Sequence, residues 1–160
     1  MKTESAEKQL DRFLDAFTPA VAEIARKALV KLRKRLPHAI ELVYDNYNAL
    51  AIGFAPSERA SEGIFSVAVY PKHANFFFLQ GARLPDPDGL LQGAGSRVRH
   101  IRLEDETTLD RADVKAMMAT AMKMAKVPFD EKTEYKLVIK SVSAKQRPRR
   151  PPAIDAKRKK

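Results

Sequence analysis

The chain has 160 residues, 44% of them hydrophobic and 31% charged, with a net charge of +10 and no cysteine. That balance excludes wholesale disorder and fits one compact domain with room for a tail, while the missing cysteine excludes a disulfide framework, a thiolate metal site and a cysteine nucleophile. The hydrophilic start Met1-Lys2-Thr3-Glu4-Ser5 and the shortness of the longest apolar runs, such as Ala49 to Ala55, imply a cytoplasmic protein without secretory signal or transmembrane segment.

The charge is unevenly placed. Residues 144–160 hold eight Lys or Arg and one Asp, a net of +7, which leaves +3 for residues 1–143. The division predicts an α+β domain over 1–143 and a disordered basic tail over 144–160. Three prolines and few large apolar residues cannot offset the entropy of ordering such a tail. Arg147, Arg149, Arg150, Lys157, Arg158, Lys159 and Lys160 make it a candidate for sequence-independent contact with nucleic acid, an acidic protein or an anionic membrane surface.

Leu10, Phe13, Leu14 and Phe17 recur with helical spacing and predict a short amphipathic helix. Thr18-Pro19 reads as N-cap and first residue of a second helix that reaches about Arg35, with Val21, Ile24, Ala25, Ala28, Leu29 and Leu32 as its apolar stripe. Pro37 ends it. From Ala39 the period changes to two. Strands are predicted from Ala39 to Tyr44, Leu50 to Phe54, Ile64 to Tyr70, Ala74 to Leu79, Val98 to Leu103 and Tyr135 to Val142. A third helix from about Asp110 to Ala125 buries Val114, Met117, Met118, Ala121 and Met122. Consecutive strands with short links predict an antiparallel sheet of five to six strands with helices on one face, hence α+β. On the second strand Ala49, Ala51 and Gly53 form a small-residue face that another layer or a ligand can approach closely.

One connection is unusually long. Gln80 to Arg97 holds four of the six glycines, together with Leu84, Leu90 and Leu91, which need burial. Such lengths in compact domains are usually functional or disordered, and the leucines argue against disorder. Asp86 to Gly93 reads as one helical turn with Asp86 as N-cap and Pro87 at its first position. The spacing matches neither dinucleotide nor P-loop fingerprints. Gly93 and Gly95 leave backbone donors uncovered, and Arg97, Arg99 and His100 follow them with charge. These five are the candidate ligand site, for a small anion or an acidic partner. Arg99 shares the face of Ile101 and Leu103 and therefore needs a partner, either structural (Asp86 or Asp88) or a ligand; His100 points the other way.

The run Phe78-x-x-Gly81-x-x-Leu84-x-Asp86-Pro87-x-Gly89-Leu90-Leu91-x-Gly93-x-Gly95-x-x-x-Arg99-His100-Ile101 resembles the signature of the YdhG-like domains, a bacterial family of unknown function. Glu41, Tyr44 and the helix after Leu109 fall at matching places, and the resemblance covers about residues 10–142. It implies a frataxin-like fold, with Gly81, Leu84, Asp86, Gly89 and Leu90 as its structural motif. The Ser57–Gly63 loop and the tail depart from it.

The resemblance raises iron, and Glu4, Glu7, Asp11 and Asp15 share a stripe of the first helix. A solvated face opposite a basic helix accounts for that stripe better, so neither metal nor cofactor is expected. His38, His73 and His100 are scattered without ligand spacing, and no nucleophile motif occurs. The sequence therefore favours a binding module over an enzyme. Tail-driven association with nucleic acid is the alternative, and an enzyme using Arg99 and His100 the second alternative.

Overall fold

A computed structural model describes residues 4–152. Helix α1 (Ala6–Asp15) starts at Ser5, whose hydroxyl accepts from the Lys8 N–H at 3.2 Å. Helix α2 (Pro19–Arg35) starts at Thr18, which accepts from the Val21 N–H, and has Pro19 in its first turn. Both starts use a side-chain oxygen to satisfy a backbone donor that the helix itself leaves open. Strands β1 (Ile40–Asp45), β2 (Leu50–Ala55), β3 (Phe65–Val69), β4 (Ala74–Phe78) and β5 (Arg99–Leu103) run in sequence, followed by α3 (Ala112–Met124) and β6 (Lys136–Val142). The fold is α+β, as the periodicities imply.

The sheet order is β5-β4-β3-β2-β1-β6. The first five strands form an antiparallel meander, with the long Gln80–Arg97 connection between β4 and β5. The sixth differs from an all-antiparallel sheet: β6 returns after α3 and pairs parallel to β1, with a bulge at Val43/Tyr44. A helical crossover permits parallel pairing, which a tight turn does not.

Strand alternation gives the sheet two distinct faces. Val43, Ile52, Val67, Phe76 and Ile101 lie in one register row and, with their neighbours, bury against α1, α2 and α3. Phe65, Phe76 and Phe78 form a ring cluster there, with centroids 5.1–5.7 Å apart. Glu41 lies on this same face, 0% exposed, in a two-pronged ion pair with Arg33 of α2 at 2.7 and 3.0 Å. Burial of a carboxylate is tolerable only with such a partner. Among the described residues the other face carries no helix. Its floor is small, from Ala51 and Gly53 of β2 to Ser66 and Ala68 of β3. At the β1–β6 side, Ile40, Leu42 and Ala55 form a second apolar cluster, where Lys136 and Lys140 reach back to Glu58.

The tail differs from expectation over residues 144–152. Arg149 is 7% exposed, pairs with Asp45 at 2.9 Å and donates to the Asn46 carbonyl at 2.5 Å. Its guanidinium also lies 5.6 Å from the Phe17 ring centroid. Arg150 donates to the carbonyls of Asp15 and Ala16, and Arg147 N–H to that of Tyr47. Composition counts apolar side chains, so it overlooks a strap held by charge and by orphan carbonyls at the end of α1 and in the β1–β2 turn. Lys157, Arg158, Lys159 and Lys160 lie outside the described residues.

Candidate functional site

The long connection begins with a turn of 3-10 helix, Gly81–Arg83. A Cβ on Gly81 would stand 2.6 Å from the Arg99 Cβ, so this glycine lets the loop root pack on β5. Leu84 is buried in the core, and Leu90 and Leu91 pack beside it. Asp86 to Gly89 is a turn rather than a helical turn, because the Asp86 carboxylate turns back to accept from the N–H groups of both Leu90 (2.8 Å) and Leu91 (2.9 Å). Gly89 follows at φ +66° and Gly93 at φ +122°, conformations that favour glycine. The five motif residues Gly81, Leu84, Asp86, Gly89 and Leu90 thus have local structural work.

The five candidate ligand residues do not converge. Arg99 is on the helix-side face with Ile101, as alternation requires, but its partner is neither Asp86 nor Asp88. It donates to the carbonyls of Gly95 (2.5 Å) and Val98 (2.8 Å) and so clasps its own loop. Gly95 is otherwise in open space. His100 points to the opposite sheet face, where its ring lies 5.1 Å from that of Phe77. Burial and the nearby Arg102 charge hold its pKa below the ordinary 6.5. His73 is lowered by burial and by the charges of Arg102 and His100, and it stacks on Tyr70 at 4.8 Å. Arg99 and His100 therefore do not form a joint reaction centre. Arg97 alone reaches a cavity.

That cavity, of about 460 Å³, lies between the root of the long connection and the end of α3. Ile64, Leu84, Met124 and Val127 supply apolar lining, and Arg83, Arg97 and Lys126 supply positive charge. The one lining carboxylate, Glu62, accepts from the Ser57 hydroxyl at 2.6 Å. None of the ion pairs among the described residues involves Arg83, Arg97 or Lys126. Arg83 was accessible to sequence reasoning, since it stands inside the motif between Gly81 and Leu84. Lys126 was not, because only the packing of α3 brings it here.

The acidic stripe of α1 is engaged by arginines: Glu4 pairs with Arg12, and Asp11 and Asp15 both pair with Arg26 at 2.7 Å. Among the described residues no group of three or more His, Asp or Glu is placed to hold a metal ion, and no helix is long and apolar enough to cross a membrane. Glu7 accepts from the Tyr135 hydroxyl beside the Arg33–Glu41 pair, and burial together with Glu41 raises the Tyr135 pKa strongly.

No family model, no curated protein and no solved structure matches the chain.

Proposed function

We propose that this protein is a binding module, not an enzyme, and that it holds a small anion with an apolar portion in the cavity beside the long connection. One observation carries the reading: Arg83, Arg97 and Lys126 converge on an apolar-lined space of about 460 Å³ whose single carboxylate is already engaged by Ser57. The volume lies in the ordinary range for small-molecule sites, and a few charged groups on an apolar lining fix the orientation of an amphiphilic ligand. The glycine-rich motif that suggests a YdhG-like domain supports this reading through its place in the fold, since it forms one wall.

A competing account gives the three cations to the C-terminal end of α3, whose dipole they complement. Thermal shift separates the two. Phosphate and a medium-chain carboxylate such as octanoate are titrated into wild type and into the double variant Arg83→Gln/Arg97→Gln. At a ligand concentration of 100 times Kd, binding stabilises by about 2.7 kcal/mol, roughly 5–11 °C for a chain of this size. The expected result is a rise with octanoate, a smaller one with phosphate, and neither in the double variant. No anion-dependent shift in wild type, with a lowered melting temperature in the double variant, would assign the cations to the helix end.

A further inference from the structure

The helix-free face of the sheet combines features that no packing role absorbs. Across β1 to β5 one register row reads Tyr44, Ala51, Ala68, Asn75, Arg102, and the next reads Leu42, Gly53, Ser66, Phe77, His100. The small residues in the middle form the floor of a shallow depression of about 610 Å³, edged by Tyr70 and Phe77. Ser66 (9% exposed) and Asn75 (7% exposed) place a hydroxyl and an amide on this face. The Tyr44 hydroxyl on the same face is buried and unpartnered. Buried polar groups are normally satisfied, and among the described residues the Tyr44 hydroxyl is the exception.

The rings and charge specify its chemistry. Tyr70 stacks on His73, and Phe77 lies against His100. His73, immediately before β4, and Phe77 within it are four residues apart, a separation of about 13 Å at the usual rise. Arg102, exposed and without a carboxylate partner among the described residues, sits in the register row between the two ring pairs. Stacking surfaces separated by a cation, with amide and hydroxyl groups on the same face, match bases joined by phosphates. The geometry points to the open face of this sheet as a platform for single-stranded nucleic acid, with bases on Tyr70/His73 and Phe77/His100 and the intervening phosphate at Arg102. The site is separate from the anion cavity, and it does not use the tail.

The test is fluorescence anisotropy with the full chain and a labelled oligouridylate of about eight nucleotides, within the usual site size for sheet platforms of this kind. Phe77→Leu keeps the apolar volume and removes the stacking ring; Arg102→Gln removes an exposed charge and leaves the core untouched. Each is expected to weaken binding about tenfold, and Arg102→Gln to make the log–log salt dependence shallower by roughly 0.7. Binding is expected to survive Arg83→Gln and replacement of Lys157, Arg158, Lys159 and Lys160 by Gln. The proposal is overturned by absence of binding, or by binding lost only when the tail is neutralised. Uridine monophosphate binding as tightly as the oligomer would assign the face to a free nucleotide. A dimer in sedimentation that Phe77→Leu dissociates would assign it to a second copy of the chain. Either result also overturns the proposal.

Discussion

Replacing Arg149 by Met tests whether residues 144–152 belong to the folded domain. In the native chain the guanidinium pairs with Asp45, with side-chain exposures of 6% and 8%, and donates to the Asn46 carbonyl while lying over Phe17. Breaking a buried pair by removing one partner costs about 3–5 kcal/mol, because the remaining charge is left without compensation. Asp45 stands at the end of β1, next to a surface recess that Arg149 itself lines. Water can reach the carboxylate once the strap leaves, which favours the lower end, about 3 kcal/mol. For a chain of this length that is roughly 6–12 °C in melting temperature. Urea unfolding of Arg149→Met, Asp45→Asn and the double variant would measure both the loss and the coupling. A coupling energy of about 2 kcal/mol is expected for groups in direct contact. Ending the chain at Ser143 should lose at least as much as Arg149→Met. A loss below about 0.5 kcal/mol for Arg149→Met, the range of ordinary surface substitutions, would refute the strap and return the segment to a solvated tail.

Gly81→Ala should destabilise by about 2 kcal/mol in the same assay, since its new Cβ meets the Arg99 Cβ at 2.6 Å, whereas Gly95→Ala meets nothing and should stay within about 0.5 kcal/mol. Arg33→Met should cost about 3 kcal/mol by stranding the fully buried Glu41, and Arg33→Lys should recover only part of that because one ammonium cannot reproduce the two-pronged contact. The pKa values of His73 and His100 lie below the ordinary 6.5, so the unfolded chain takes up protons first as pH falls. Stability should be full above pH 6.5 and decline as pH drops through the lowered values; a melting-temperature profile from pH 7.5 to 5 should flatten in His73→Gln/His100→Gln. Anion binding in the cavity should not strengthen over that range, because His100 faces away from it; a rise abolished by His100→Gln would contradict the placement.

Much of the fold was legible because periodicity reports burial directly. The heptad-like run from Leu10 to Phe17 and the alternation in Ile40 to Tyr44 each had one physical solution, and Thr18-Pro19 marked a helix start to the residue. The direction of β6 was not legible. Its alternation of Leu137 and Ile139 against Val138 suits either orientation, and only the α3 crossover decides between them. The strap was illegible for a different reason. Arg149 is held by two backbone carbonyls and Asp45, all more than a hundred residues away along the chain, and a composition window sees only a cation among prolines.

The candidate site divides for a reason that alternation itself contains. Adjacent residues of a strand point to opposite faces, so Arg99 and His100 cannot both serve one ligand unless the strand ends between them. β5 begins at Arg99 and continues to Leu103, so the two are separated by the thickness of the sheet. The sequence signal at this point was therefore two signals laid over each other. The helix-side residues Gly81, Arg99 and Ile101 fasten the long connection to the core, which leaves Arg97 free beside the cavity. The open-side residues His100 and Arg102 belong with Phe77 and Asn75 across the ladder, a grouping that only the β4–β5 register supplies. A charge on the next residue of a strand is evidence about the other face. The sum of neighbouring charges along β5 thus overstates the field at either site, and each site must be tested with variants from its own face alone.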